Sequence, residues 1–174
     1  MRKLLIVIDM QKDFTYGALR NEDAIAVIDN VKRKIESFDG EVIFTLDTHG
    51  DDYMHTQEGR KLPVPHCIKG SEGHELVDEL KPYAENRLVL EKETFGSVKL
   101  GEILKEMNAS DPLEEITLIG VCTDICVISN AMIAKAALPE VTVKVDSACC
   151  AGVTPESHNI ALEAMKACQI EVVD

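Results

Sequence analysis

Residues 3–9 read Lys3-Leu4-Leu5-Ile6-Val7-Ile8-Asp9, an unbroken apolar run closed by a carboxylate. A strand with one solvated face alternates apolar and polar side chains. A run with no polar interruption buries both faces, as a central strand of a parallel sheet does. The run is also far too short for a membrane span or the core of an export signal.

Working outward, Ile25, Val27, Ile28, Val31 and Ile35 recur at helical spacing between Asp23 and about Phe38, before an Asp39-Gly40 turn. The alternation then repeats. Glu41 to Asp47, Arg87 to Glu91, Ile116 to Val121, Val141 to Val145 and Ile170 to Val173 read as strands. Helical stretches fall near Val98 to Met107, Asp124 to Ala137 and Pro155 to Ala167, the last with Thr154 as cap and Pro155 at the first helical position. Alternating strand–helix units need right-handed crossovers. They predict an α/β chain with a doubly wound, Rossmann-like three-layer fold around a parallel sheet of roughly six strands.

The 174 residues fit a single domain over 1–174. Its one irregular stretch, about 48–82, is rich in His, Gly, Pro and charge, and is long enough to be expected to carry function as an inserted loop. With 45% apolar residues the composition is that of an ordinary globular protein. The 31 acidic against 18 basic side chains give a net charge of −13, which repels phosphate backbones and anionic lipid, so neither nucleic acid nor membrane is an expected partner. Six cysteines without regular spacing, and no segment that reads as an export signal, predict free thiols in a reducing cytoplasm. Whether copies of the chain assemble as a homo-oligomer stays open.

Ligands of open α/β sheets bind outside the carboxyl ends of the strands. There the sequence puts Asp9 after the first strand, Asp47 at the end of the second, Lys92 after the third, and Gly120-Val121-Cys122-Thr123-Asp124-Ile125-Cys126 after the fourth. Cys126 falls in the first turn of a helix expected to begin near Asp124, where backbone N–H groups and the positive end of the helix dipole would favour a thiolate. The same N–H groups could hold an oxyanion. Asp9 then suits a base for the thiol, and Lys92 a charge that keeps Asp9 and Cys126 in register. Taken singly, each residue has an ordinary structural reading. Cys122, Cys149, Cys150 and Cys168 keep that reading as core thiols.

A second constellation surrounds the end of strand two. Asp47 and His49, with His66 held between Pro65 and Cys67, offer oxygen and nitrogen donors suited to zinc, iron or manganese. His55 and Glu58 are both chemically able to complete the set, and Glu58 is taken as the fourth donor. His74 and His158 are expected to be exposed histidines rather than ligands, and Cys67 is left out because its neighbour His66 already points inward.

Together these residues resemble the isochorismatase-like cysteine hydrolases, and among them the nicotinamidases, along nearly the whole chain. Asp9-Met10-Gln11-Lys12-Asp13-Phe14 is similar to the family's D-x-Q-x-D-F, Asp47-Thr48-His49 to its metal pair, and Pro65-His66-Cys67-Ile68-Lys69-Gly70 to its P-H-C-x-x-G. The resemblance implies a triad of Asp9, Lys92 and Cys126. It also implies a cis peptide between Val121 and Cys122 that aims the Cys122 N–H, with that of Cys126, at an oxyanion, and substrate contacts from Phe14 and Phe95. The expected reaction converts nicotinamide to nicotinate and ammonia through a Cys126 thioester, a step of NAD salvage, with a divalent metal, zinc foremost, held by Asp47, His49, Glu58 and His66. The tryptophan that often precedes the metal histidine is absent here, where Leu62-Pro63-Val64 stands instead. Two other readings are a hydrolase of the same superfamily acting on an amide, ureido or carbamoyl compound, and a non-enzymatic metal-binding module.

Overall fold

The apolar run of the first strand becomes β1 (Arg2–Ile8), at the middle of the sheet. The computed structural model describes residues 2–174. Leu4, Ile6 and Ile8 pack with one core cluster and Leu5 and Val7 with another, all with no solvent exposure. Burying each such side chain contributes about 1.5–3 kcal/mol, so both faces of β1 must be covered by helices.

The chain continues through α1 (Lys12–Thr15), α2 (Glu22–Ser37) and β2 (Glu41–Asp47) to the short helices α3 (Gln57–Lys61) and α4 (Lys81–Ala84). It then runs through β3 (Val89–Lys92), α5 (Val98–Ser110), β4 (Leu113–Val121), α6 (Ile128–Ala137), β5 (Thr142–Ala151), α7 (Pro155–Ala167) and β6 (Glu171–Val173). All six strands are parallel, in the order β3-β2-β1-β4-β5-β6. The strand order reverses between β1 and β4, which opens a crevice at their carboxyl ends. Ile8 pairs with Thr45 of β2 on one side and Gly120 of β4 on the other, so these strands end at one level.

Leu100, Leu104, Ala131, Ala134, Leu162 and Met165 of α5, α6 and α7 fill the first cluster. Ala24, Ile28, Val31 and Ile35, the inner stripe of α2, fill the second. α2 is capped by Asn21, whose side chain accepts from the Asp23 and Ala24 N–H groups, and α7 by a reciprocal pair between Thr154 and Ser157.

Several boundaries differ from the sequence reading. β5 runs on to Ala151, because its pairing with β4 shifts register between Leu118 and Gly120 and resumes at Cys150 and Ala151. The polar Asp146-Ser147 in the middle hides this continuation from an apolar-run reading. Lys92 is the last residue of β3 rather than the first after it. The expected helix from Asp124 opens as a π-turn, Thr123–Val127, and becomes regular only at Ile128. The 48–82 stretch is no bare loop: single-turn 3₁₀ segments at Tyr53–His55 and Glu72–His74, together with α3 and α4, give it shape. A parallel bridge from His49 to Ile68 closes the stretch on itself just beyond β2, and an antiparallel one joins its Leu76 to Gln11 just beyond β1.

Candidate active site

Asp9 leaves β1 with a left-handed backbone, φ 48°, and its side chain has no solvent exposure. Thr45 of β2 donates its hydroxyl to Asp9 Oδ1 at 2.7 Å. Lys92 reaches from β3 across β2, and its Nζ lies 2.6 Å from Asp9 Oδ2, 3.5 Å from Cys126 Sγ and 3.6 Å from Asp47 Oδ1. The Thr94 carbonyl also accepts from Nζ at 3.1 Å. One buried ammonium therefore contacts all three neighbours. The Asp9 contact is a charge pair without aligned hydrogen-bond geometry, so Oδ2 has no hydrogen-bond partner among the described residues.

Burial governs the protonation of this group. It raises the Asp9 carboxyl above its usual value, with the Asp47 charge adding to it and Lys92 opposing. It also raises the Cys126 thiol well above its ordinary range, and the Asp9 charge adds while Lys92 again opposes. Burial thus works against the thiolate expected from the helix terminus. Cys126 is only 4% exposed, and desolvation is the largest influence on its thiol. Lys92 stays charged, because Asp9, Cys126 and Asp47 more than offset its burial.

Cys126 is the fourth residue of the π-turn. The N–H groups on either side of it, Ile125 and Val127, both donate to the Cys122 carbonyl at 3.0 Å. The peptide between Val121 and Cys122 is cis. Gly120, before it, has φ +117°, and a Cβ there would lie 2.1 Å from the Ile8 carbonyl oxygen. This position admits only glycine.

Beside this group, one donor atom from each of Asp47, His49, Glu58 and His66 lies within 4.8 Å of the others. His49 Nε2 is 2.9 Å from Asp47 Oδ2, and His66 Nε2 is 3.5 Å from the same oxygen. The Val64 carbonyl can only accept, so at 2.8 Å it takes the proton of His66 Nδ1 and leaves Nε2 as the bare donor. Asp47 Oδ1 is buried without a hydrogen-bond partner among the described residues. Burial would raise the Asp47 pKa, but His49, His66 and Lys92 overcome it and hold the carboxyl well below its usual range. Two imidazoles and two carboxylates that converge, one imidazole with its tautomer fixed by Val64, suit a divalent cation.

His55 is exposed and does not join this cluster. His74 departs from the exposed reading: it is 8% exposed, and its Nε2 meets Thr48 Oγ1 at 2.8 Å. His158 departs too, half-buried against Thr123. Phe14 lies edge-on to His66 with ring centroids 5.7 Å apart, while Phe95 is 45% exposed on the rim. Both line a cavity of about 1290 Å³ that also reaches Cys126, Cys122, His49 and Leu62. A smaller hollow of about 430 Å³ beside Lys12 and Asp78 lies outside this chemistry, in a surface ion-pair cluster.

Four supporting residues escaped the sequence reading. Gln11 clamps Asp47, its Nε2 donating to the Asp47 carbonyl at 2.8 Å and its Oε1 accepting from the Asp47 N–H at 2.8 Å. Asp13 Oδ2 accepts from the Cys67 N–H at 2.8 Å and anchors the His66 segment. Thr45 supports Asp9. Asn130 Nδ2 donates to the Cys126 carbonyl at 2.8 Å and the Phe95 carbonyl at 3.0 Å. Gln11 and Asp13 stood in the opening motif, and Thr45 and Asn130 were polar residues in apolar runs. Those were the available signals.

An Isochorismatase domain family model matches residues 3–174. A Bacillus subtilis isochorismatase family protein, PncA, is 33% identical over 145 residues, covering 76% of this chain and 78% of that protein. A crystal structure of the nicotinamidase PncA from Bacillus subtilis superposes with TM-score 0.85 at 31% identity over 100% of both chains. The pyrazinamidase of Pyrococcus horikoshii in complex with zinc superposes with TM-score 0.82 at 26% identity, covering 100% of this chain and 99% of that one. With the family model spanning nearly every residue and relatives alike in both sequence and structure, the chain belongs to the isochorismatase family.

Proposed function

We propose that this protein is a cysteine amidohydrolase of the nicotinamidase kind, converting nicotinamide to nicotinate and ammonia. One observation carries the reading. The Lys92 ammonium touches Asp9, Cys126 and Asp47 together, so a buried acid–base pair sits directly behind a nucleophile and a metal-donor set that line one cavity. The likeness to a nicotinamidase structure at 31% identity supports the substrate.

In this reading Asp9 takes the Cys126 thiol proton as sulfur attacks the amide carbon. Its raised pKa suits a base that must also return a proton. The N–H groups of Cys122 and Cys126 receive the oxyanion. Asp9 then protonates the departing nitrogen, the C–N bond breaks, and ammonia leaves an acyl thioester on Cys126. Water adds to the thioester with Asp9 again accepting a proton, which returns to sulfur as nicotinate departs. Lys92 keeps its charge throughout and offsets negative charge on Asp9 and Sγ. Phe14 and Phe95 flank the ring. A divalent ion held by Asp47, His49, Glu58 and His66 would supply an open coordination position to orient a ring nitrogen. Zinc is the favoured ion on the nitrogen and oxygen donor set and the zinc-bound pyrococcal relative, with iron and manganese the alternatives. Six free cysteines fit a reducing cytoplasm.

The test is ammonia release from nicotinamide, pyrazinamide and acyclic ureido and carbamoyl compounds, with metal content measured on the same preparation. Turnover of the heteroaromatic amides by protein with about one metal per chain is expected. Turnover of only the acyclic compounds by metal-free protein would overturn the reading. Cys126→Ala should abolish ammonia release yet still bind nicotinamide.

A further inference from the structure

The π-turn carrying Cys126 is held from outside the catalytic group. Thr123, its first residue, has no solvent exposure, and its hydroxyl lies 2.7 Å from Nδ1 of His158 on α7. Neutral histidine could accept or donate here, but only one arrangement satisfies both partners. If Nδ1 carried the proton, the buried Thr123 hydroxyl hydrogen would have no acceptor. If Nδ1 accepts, Nε2–H faces outward from a half-buried ring toward water. Asp124 Oδ1, next in the turn, accepts from the Val153 N–H at 3.1 Å, and Asn21 Nδ2 donates to the Gly152 carbonyl at 2.9 Å. A Cβ on Gly152 would lie 2.9 Å from the Cα, Cβ and N of His158, so the segment packs directly on α7.

We propose that His158 is a positioning residue for the cysteine nucleophile, accepting the Thr123 hydrogen bond that fixes the turn between Cys122 and Cys126. The path is short. The Thr123 carbonyl accepts from the Ile128 N–H and the Cys122 carbonyl from that of Val127. A shift of Thr123 thus moves both backbone anchors around Cys126. His158 touches no reacting atom. Burial pulls its pKa below the usual histidine value, against the charges that face it, Asp124 of the turn and Asp23 of α2, which keeps it the neutral acceptor near neutral pH.

The inference rests on the cysteine amidohydrolase reading, and the experiment separates the two. His158→Ala and Thr123→Val should each lower kcat about tenfold or more, with KM and bound metal unchanged. The double variant should be no worse than either single one. In His158→Asn the amide oxygen replaces Nδ1 as acceptor, so kcat should recover, and the acid limb of its pH profile should be shallower by one proton. Alkylation of Cys126 by iodoacetamide, mapped by mass spectrometry, needs no substrate. It should be faster in His158→Ala, where the turn loosens, and normal in His158→Asn. Undiminished kcat in His158→Ala, additive losses in the double variant, or a wild-type acid limb in His158→Asn would overturn the proposal. If the wild-type protein releases no ammonia from any amide, the amidohydrolase reading fails. The alkylation rates then decide this one: equal rates in all three proteins overturn it, and the stated order supports it. Should His158→Ala fail to fold, the His158→Asn pH profile decides alone.

Discussion

At Asp9 three neighbours pull on one proton. Burial raises its pKa, Asp47 raises it further, and Lys92 and Thr45 hold it down. Thr45→Val keeps the shape and removes one donor from a carboxylate. A hydrogen bond to a charged group contributes about 1.5–3 kcal/mol. The sign is fixed: losing a donor to the charged form raises the Asp9 pKa further. In the proposed mechanism Asp9 accepts the thiol proton only when ionised, so the acid limb of kcat/KM should move to higher pH, while the rate well above it changes little. A pH profile of ammonia release checks this, and an unmoved acid limb would show that Thr45 does not tune the base. The same kind of balance acts on Cys126, where burial works against the thiolate. Position in a first turn can be read from sequence, but the burial that opposes it depends on how α6, α7 and β4 pack against the turn.

Among the elements, the strand ends do the placing, and much of that was legible. β1 was readable because its uninterrupted apolar run admits no one-sided strand, and the Thr154-Pro155 signal marked the α7 start correctly. Less legible were features set by neighbours. The length of β5 depends on a register shift against β4, and the shape of 48–82 depends on the Gln11–Leu76 and His49–Ile68 bridges, which leave no local pattern. The proximity of Lys92 to Asp9 likewise follows from strand order, which puts β3 two positions from β1. Gly120 joins these scales. It pairs with Ile8 in β1 and Cys150 in β5 and holds a φ that side chains avoid. Gly120→Ala adds that strain to a clash with the Ile8 carbonyl, and should cost about 3 kcal/mol or more in urea unfolding. A cost under about 1 kcal/mol would mean that β1 and β4 separate easily at the crevice.

For the whole molecule, the donor cluster links the 48–82 stretch to the sheet. Asp47 ends β2, whereas His49, Glu58 and His66 come from the segment beyond it. Two carboxylates and two buried imidazoles this close leave charge to be balanced by protons or by a cation. Burial alone would lower the His66 pKa, but Asp47, the Val64 carbonyl and Glu58 outweigh it and lift it above the usual 6.5. A proton and a metal therefore compete for His66 Nε2 at higher pH than for an ordinary histidine. Metal affinity should fall steadily as pH drops through and below that raised value, and level off above it. Removing the cation should destabilise the fold in proportion to its binding, because the segment carrying three of the four donors is tied to the sheet partly through them. Chelator competition across pH 5–9, followed together with the thermal midpoint, measures both quantities. Affinity independent of pH would exclude His66 as a ligand. A midpoint that ignores the chelator would mean that Gln11, Asp13 and the two bridges hold the segment without the metal.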